Sequence, residues 1–287
     1  MNYEFLDKQG IFLRAFDSIS ESNYYKKVTP ELGYQHKIGH IQKVMLFSQI
    51  IAIQENLNEM QMKILLAAAA FHDSGREKDR DNGEHGKLSA EVAGKYFRKN
   101  KINPFGITPE DIGIVQTAIA YHVVDEAEQG KIDEKNLKML CFEYDISDFK
   151  NIEKIKQICA ILKDADALDR ARFSSEASAK NSLNPQLLRT DTAKNTTIIE
   201  FARRINQAYA KYVLSENYPE VPTVQNDAAK TLQFMRHDYK IKNNGKRKVE
   251  KDIPTRIVKE LFKYIIQNKD MEKNNNLEEI EELELKR

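Results

Sequence analysis

The sequence contains no tryptophan, only two cysteines among 287 residues, and almost no net charge. Cys141 and Cys159 lie far apart in apolar surroundings, which favours reduced core thiols of a cytoplasmic protein over a disulfide framework. Because 45 basic residues balance 44 acidic ones, nucleic acid is not expected as a partner of the whole chain. The first residues lack the pattern of a signal peptide, and no apolar run of about 18 residues predicts a membrane span. Seven prolines and eleven glycines do not favour an all-β fold.

Helical periodicity dominates the pattern that is present. Apolar residues recur at three-to-four spacing over residues 34–56, and Asn58 is the predicted N-cap of a helix that continues to His72. Gly75 is expected to stop that helix. Further helices are predicted at 87–100, 108–122, 152–172, 192–216, 228–239 and 253–267.

These helices predict an all-α fold with one main domain over residues 1–240, whose core motifs occupy residues 34–172. Residues 241–287 are predicted to form a basic linker, an amphipathic helix and a charged tail. Leucines and isoleucines in the tail would allow a homo-oligomer through helix pairing.

Five of the six histidines precede residue 123, at distinct points of the helical pattern. His40 continues an apolar line along its helix, which directs its side chain inward, and His36 lies one turn earlier. His72 ends an apolar helix immediately before Asp73. A single inward histidine is more often a hydrogen-bonded core residue than a ligand, and His36 alone favours that interpretation. His237 also precedes an aspartate but lacks the apolar helix before it, so a surface position is expected.

Three aspartates lie in the apolar helix that contains LKDADALDRAR: Asp164, Asp166 and Asp169. Burial of an unpaired carboxylate costs several kcal/mol, so these groups require a cation or several hydrogen bonds. Asp166 and Asp169 share a face, whereas Asp164 points well away from Asp166; an ion pair with Arg172 is the alternative interpretation of Asp169. Imidazoles and carboxylates from separate helices suit Mn, Fe, Co, Ni or Zn better than calcium.

Five motifs in order carry a resemblance to a known family: HKIGHIQKV, AAAAFHDSGRE, EHGKLSAE, IAYHVVD and ILKDADALDRAR. In this order and spacing they resemble the HD-domain superfamily of metal-dependent phosphohydrolases, and in particular a small bacterial HD-domain hydrolase. The later NPQLLRTDTAK is similar to the downstream segment of that group, so the resemblance covers roughly residues 30–215. The GYP signature of the cyclic-di-GMP phosphodiesterase branch is missing, which makes that substrate an unexpected one.

The resemblance implies one or two divalent ions, of Mn, Fe, Co, Ni, Zn or Mg. Its core metal ligands would be His40, His72, Asp73 and Asp166, and a register shift of two residues would substitute Asp164 for Asp166. In members with two metals, His85 and His122 would bind the second ion and Asp73 would bridge the pair. In members with one metal, these two histidines would instead contact the substrate phosphate or transfer a proton.

The resemblance also implies substrate contacts and an activity. Arg76, Lys87 and Arg170 are candidates for phosphate binding because they carry positive charge. Asp169 would orient the substrate or act as a general acid or base, so that Asp73, Asp169 and Arg76 form the candidate catalytic group.

The expected function is metal-dependent hydrolysis of a phosphate ester or phosphodiester, with a nucleotide or related small molecule as substrate and a metal-activated water as nucleophile. The alternative is a non-catalytic helical module that binds a metal or nucleotide and recruits a partner through its C-terminal extension. A third class, nucleic-acid binding, rests only on the short basic patch at residues 240–251 and is not favoured.

Overall fold

The computed structural model describes residues 38–76, 83–103, 105–147, 149–172, 183–203 and 206. The chain divides into two units, Met1–Lys251 and Asp252–Arg287, and all of these residues belong to the first. No β-strand occurs in the described ranges, and the all-α prediction is confirmed. Helices of ten or more residues within them are α1 (Ile38–Gln54), α2 (Glu59–Phe71), α3 (His85–Lys99), α4 (Ile112–Tyr121), α5 (Glu134–Glu143) and α6 (Ile152–Asp169).

Helix α2 lies at the centre of the packing. It contacts α1, α3, α4 and α6, and its residues from Ile64 to Phe71 are all buried. Four consecutive alanines, residues 67–70, allow neighbouring helices to approach α2 closely on several sides. The predicted N-cap is confirmed: Asn58 accepts a hydrogen bond from the backbone N–H of Gln61, whose side chain accepts one from Asn58 in return.

Two helix pairs surround this central helix. α1 packs along α6, and α3 packs along α4, with α5 contacting α4 from the other side. The predicted helix over 152–172 is confirmed, although its last three residues, Arg170–Arg172, form a 3₁₀ turn. The predicted start at Thr108–Pro109 is also confirmed, as a 3₁₀ turn that leads into α4.

The turn after α2 is pressed against α3. The backbone N–H of Gly75 donates to Ser89 Oγ at 2.8 Å. A Cβ atom at position 75 would lie 2.4 Å from the backbone nitrogen of Ser89, a distance that no side chain can adopt. Gly75 therefore lets the segment that carries His72 and Asp73 contact the first turn of α3, where His85 lies.

Three features differ from the sequence-based prediction. α3 begins at His85 rather than at residue 87, and α5 was not predicted, although the N-cap Asp133 and the buried Leu137, Leu140 and Cys141 carry its pattern. The helix expected over 192–216 is interrupted: Asp191–Lys194 is helical, Asn195 is extended, and residues 196–203 are helical again. The Asn195 side chain accepts from the backbone N–H of Thr197 and so caps this second segment.

Several predictions concern residues outside the described ranges: the helices at 228–239 and 253–267, the boundary at 240/241, the charged tail, His36 and His237. They stay predictions. No helix in the described ranges combines the length and the apolar character that a membrane span requires.

Candidate metal centre

Six side chains from five parts of the helical bundle converge on one point, and we call them the His/Asp cluster. His40 comes from α1, His72 and Asp73 from the end of α2, His85 from the start of α3, His122 from the end of α4, and Asp166 from α6. Asp166 has 31% of its side chain exposed, whereas the other five residues are buried. The cluster is therefore a buried site with one accessible side.

The first half of the cluster consists of His40, His72, Asp166 and one oxygen of Asp73. The Nε2 atoms of His40 and His72 lie 3.1 Å apart. Asp73 Oδ2 is 3.5 Å from the His40 nitrogen and 3.8 Å from the His72 nitrogen. Asp166 Oδ1 lies at almost the same distances, 3.4 and 3.9 Å. Each of these two carboxylate oxygens thus lies within 4 Å of both imidazole nitrogens.

The second half consists of His85, His122 and the other oxygen of Asp73. The two Nε2 atoms are again 3.1 Å apart. Asp73 Oδ1 is 3.2 Å from His85 Nε2 and 3.9 Å from His122 Nε2. The single carboxylate of Asp73 therefore presents one oxygen to each pair of imidazoles.

Hydrogen bonds to Nδ1 fix the orientation of three imidazole rings. His72 and His122 are each the residue that caps a helix C-terminus, and their Nδ1 atoms donate to the carbonyl oxygens of Ala69 (2.7 Å) and Ile119 (2.5 Å). These carbonyls belong to the last helical turn, where acceptors are left without a partner in the helix. His40 Nδ1 lies 2.7 Å from Asp169 Oδ2. With Nδ1 as donor, each ring directs its Nε2 atom into the cluster.

The donor set fits divalent ions. Two Nε2 atoms that both lack a proton repel each other at 3.1 Å, and a proton or a metal ion between them removes this repulsion. Metal–nitrogen bonds of about 2.0–2.1 Å put neighbouring ligand atoms roughly 3 Å apart, as they are here. Two groups have ligand atoms close enough to share an ion: His40, His72 and Asp73, and Asp73, His85 and His122.

The two halves differ in electrostatics. Burial opposes protonation of His40, but its hydrogen bond to Asp169 and the nearby Asp73 and Asp166 outweigh this and raise its pKa to about 9. Burial lowers the pKa of His72. In the second half, burial and the neighbouring imidazoles lower the pKa of His122 to about 3. The first half thus favours positive charge, whereas His122 remains neutral.

Asp166 is the aspartate at the cluster, and Asp164 is not. Burial alone would raise the pKa of Asp166, yet the surrounding imidazoles lower it to about 2, so it is ionised. Asp164 is fully buried and accepts hydrogen bonds from the backbone N–H groups of Arg189 and Thr190, the Thr190 hydroxyl and the Arg189 guanidinium. Asp164 therefore anchors the segment after α6 and does not lie at the cluster.

Asp169 lies behind the cluster rather than on its accessible side. Its side chain is fully buried, with Oδ2 on His40 Nδ1 and Oδ1 2.8 Å from the ammonium of Lys43. Lys43 also donates to Asn206 Oδ1 at 2.6 Å. The expectation that Asp169 contacts substrate or acts as general acid or base is therefore corrected, because its oxygens are directed at His40 and Lys43. A pair with Arg172 is not needed to explain its burial.

The candidate phosphate-binding residues are divided by the structure. Arg76 is at the cluster: its Nε donates to Asp73 Oδ1 at 2.9 Å, and its Nη2 lies 2.6 Å from His85 Nε2. Arg170 is exposed at the end of α6, one turn after Asp166. Lys87 is not at the cluster, because its ammonium contacts both carboxylate oxygens of Glu143 at 3.0 Å on the surface. Lys87 lies two residues after His85 in α3, so its side chain points about 200° around the helix from that of His85.

Two buried lysines support the cluster and were not predicted. Lys43 forms an ion pair with Asp169, and the sequence indicates this role only through the position of Lys43 one turn after His40. Lys163 donates to the backbone carbonyls of Val124 (2.6 Å) and His122 (3.3 Å), so it fixes the chain where α4 ends. Burial lowers the pKa of Lys163 to about 8. A lysine inside the run ILKDADALD gives no signal that its ammonium binds carbonyls.

Comparison with known proteins identifies the family. Residues 38–171 match the family model described as HD domain. This segment is an HD domain. The match runs from the first residue of α1 to the turn after α6, so it contains every residue of the His/Asp cluster. The match confirms the resemblance to the HD-domain superfamily that the five ordered motifs carry. No significant match was found among curated proteins or among solved structures.

HD domains are, as a family, metal-dependent phosphohydrolases. In this HD domain, the buried histidines and aspartates form groups that could hold a metal ion.

Proposed function

We propose that this HD domain hydrolyses a phosphate ester or phosphodiester of a nucleotide or related small molecule, using two divalent ions. The observation that carries the proposal is the position of Asp73 between two pairs of imidazoles. Its Oδ2 faces His40 and His72, and its Oδ1 faces His85 and His122. A bridging carboxylate with two such pairs would hold two ions close enough to act on one phosphoryl group.

The first ion would be held by His40, His72, Asp73 and Asp166, and the second by His85, His122 and Asp73. Bound ions of this kind lower the pKa of a coordinated water and polarise a phosphoryl oxygen. The mixed nitrogen and oxygen ligands favour Mn, Fe, Co, Ni or Zn. The Nδ1 atoms of His40, His72 and His122 are hydrogen-bonded, so the Nε2 atoms of these rings need no reorientation to bind an ion.

The accessible side of the cluster is the proposed approach for the substrate. Asp166 is the most exposed of the six cluster residues, and Arg170 lies one helical turn beyond it. A guanidinium at this edge would donate to a non-bridging phosphate oxygen of a bound substrate. Arg76, with 12% of its side chain exposed, is the second guanidinium near the cluster. These two positive groups support an anionic, phosphorylated substrate.

Asp169 is assigned a positioning role. It accepts a hydrogen bond from His40 Nδ1–H and is itself held by Lys43, so it fixes the ring whose Nε2 would face the ion. A carboxylate behind a ligating histidine orients the ring and makes its nitrogen a stronger ligand. This role needs no contact between Asp169 and the substrate.

The test uses metal-free protein loaded with Mn²⁺ or Co²⁺ and assayed on aryl phosphates, aryl phosphodiesters and nucleotides. Asp73→Ala removes ligand atoms from both halves, so we expect loss of bound metal and a fall in kcat of about 10³-fold or more. Asp238→Ala is the matched control, because Asp238 also follows a histidine but belongs to no predicted ligand set. Its metal content and activity should equal those of the wild type.

Two outcomes would contradict the proposal. Activity lost in Asp238→Ala but kept in Asp73→Ala would place the chemistry elsewhere. Two bound ions with no turnover of any phosphorylated substrate would favour the non-catalytic binding module instead.

A further inference from the structure

Arg76 makes its hydrogen bonds to atoms that the second ion would need. Its Nε donates to Asp73 Oδ1 at 2.9 Å, the oxygen that faces the second half. Its Nη2 lies 2.6 Å from His85 Nε2, the nitrogen predicted to bind the same ion. The single lone pair of His85 Nε2 cannot accept this hydrogen bond and bind a metal ion at the same time, so the two uses of this nitrogen exclude each other.

We propose that Arg76 is a built-in competitor for the second ion, so that the two halves of the cluster fill in order and with different affinities. This inference rests on the proposed two-ion site and adds the rule for its occupancy. With Arg76 in place, the guanidinium supplies the positive charge that Asp73 Oδ1 requires. A second ion binds only when Arg76 withdraws from His85 Nε2.

The charges of the two halves support this order. The first half offers a divalent ion two carboxylates, Asp73 and Asp166, together with a histidine backed by Asp169. The second half offers only the shared carboxylate, and a guanidinium with a fixed charge already lies against it. Guanidinium groups stay protonated in proteins, so a change of pH does not relieve this competition.

The local geometry allows Arg76 to leave without unfolding the site. Its backbone N–H donates to Asp73 O at 3.0 Å, and the backbone N–H of Gly75 donates to Ser89 Oγ at 2.8 Å. These two hydrogen bonds anchor the main chain at Arg76 and Gly75. The guanidinium is at the rim, with 12% of the side chain exposed. Rotation of the side chain is therefore sufficient, and the released guanidinium would be free to bind a substrate phosphate.

The test is a binding measurement with Mn²⁺ alone, and it needs no turnover. Metal-free protein is titrated by calorimetry and by equilibrium dialysis with elemental analysis, and spin coupling between two Mn²⁺ ions is read by electron paramagnetic resonance. We expect the wild type to bind one ion at least about tenfold more tightly than the second. Arg76→Ala should tighten the second step by about tenfold, the scale of one charge-assisted hydrogen bond, and leave the first step unchanged.

Two further variants separate competition from a general structural effect. Arg76→Lys keeps the charge, but one ammonium replaces the planar pair of donors, so an intermediate affinity for the second ion is expected. It also provides the measurement if Arg76→Ala does not fold. Arg203→Ala is the control, because this exposed arginine contacts Glu200 on the helical segment at 196–203. Guanidinium ion added to Arg76→Ala should weaken the second step again, whereas methylammonium should not.

The possible failures are distinguishable. Identical two-step binding in the wild type, Arg76→Ala and Arg76→Lys would overturn the competition and leave the two-ion site intact. No binding of Mn²⁺ to the wild type or to any Arg76 variant would overturn the proposed metal centre and this inference with it. Binding of a single ion by the wild type and of two by Arg76→Ala would be the strongest support.

Discussion

The two halves of the His/Asp cluster have the same core of two imidazoles and one oxygen of Asp73, but their surroundings differ. A carboxylate lies behind the first half: Asp169 accepts a hydrogen bond from His40 and forms an ion pair with Lys43. Beside the second half is a guanidinium, Arg76. The pKa of His40 is raised to about 9, whereas that of His122 is lowered to about 3. Neighbouring residues can therefore give near-identical ligand sets different affinities for a cation.

Removing one histidine from each half should separate the halves most clearly. His72→Ala deletes a ligand of the first half, and we expect the tight ion to be lost together with the activity. The affinity for this ion should fall by more than about 100-fold. Loss of a residue that only hydrogen-bonds to a ligand costs up to about 100-fold, and His72 is itself a predicted ligand. His85→Ala should keep the tight ion and lose only the second. Elemental analysis after dialysis gives both stoichiometries.

The two histidine variants also test whether the halves are independent. If His85→Ala lost the tight ion as readily as His72→Ala, the cluster would bind its metals as one unit and the comparison between halves would fail. Circular dichroism of each metal-free variant shows that the helices are intact.

Asp169→Asn should weaken only the first half. The amide keeps the shape of the side chain but removes the negative charge behind His40, so we expect the tight ion to bind about 10- to 100-fold more weakly. The second step should change little, because Asp169 does not contact His85 or His122. Asp191→Asn is the control, since Asp191 is fully exposed on the short helix Asp191–Lys194. Equal losses from both binding steps would contradict the assignment. Titration with Mn²⁺ measures both.

The pH dependence of metal binding should differ between the halves. In the metal-free protein His40 has a pKa of about 9, above its value of 6.5 in the unfolded chain. The folded state therefore binds more protons between these values, so this contribution to stability is complete below pH 6.5 and is lost as the pH rises through 9. An ion on His40 Nε2 must displace that proton, so its affinity should rise with pH by up to about tenfold per unit until pH 9.

Proton release provides the measurement. At pH 7, calorimetry in two buffers of different ionisation enthalpy should show one proton released with the first ion. His122 remains neutral because its pKa is about 3, so it should release none with the second ion. His40→Gln should abolish the release. A first binding step whose affinity does not change between pH 6.5 and 9 would contradict the geometry assigned to His40.

Much of the fold and the location of the site can be predicted from the sequence because both depend on local patterns. The periodicity that buries α2 and the capping box at Asn58 are contained in short segments. The position of His72 is also predictable from a short segment, since a histidine at the end of an apolar helix can only lie close to the core. Asp166 could be preferred over Asp164 only through the family resemblance. The structure explains the difference, because Asp164 binds backbone N–H groups 25 residues later in the chain.

The roles of Asp169, Lys87 and Arg76 depend on contacts between distant segments. Asp169 is 129 residues from His40, and no spacing rule predicts that its oxygens would be directed at His40 and Lys43. Lys87 was a candidate for phosphate binding because of its positive charge; it follows His85 by two residues in α3, and its side chain turns outward. The contact of Arg76 with His85 requires the turn at Gly75 to pack on α3, which follows from tertiary structure alone.

The smallest expected effect distinguishes the two remaining candidates for phosphate binding. Lys87→Ala should change kcat/KM by less than about twofold, because Lys87 forms an exposed ion pair with Glu143, and such pairs contribute only about 0–1 kcal/mol even to stability. Arg170→Ala should raise KM by about tenfold, the value of one charge-assisted hydrogen bond to phosphate, with kcat and bound metal unchanged. Steady-state kinetics on the best substrate of the panel compares the two. A larger effect from Lys87 would mean that the substrate extends across α3 towards α5, rather than over the end of α6.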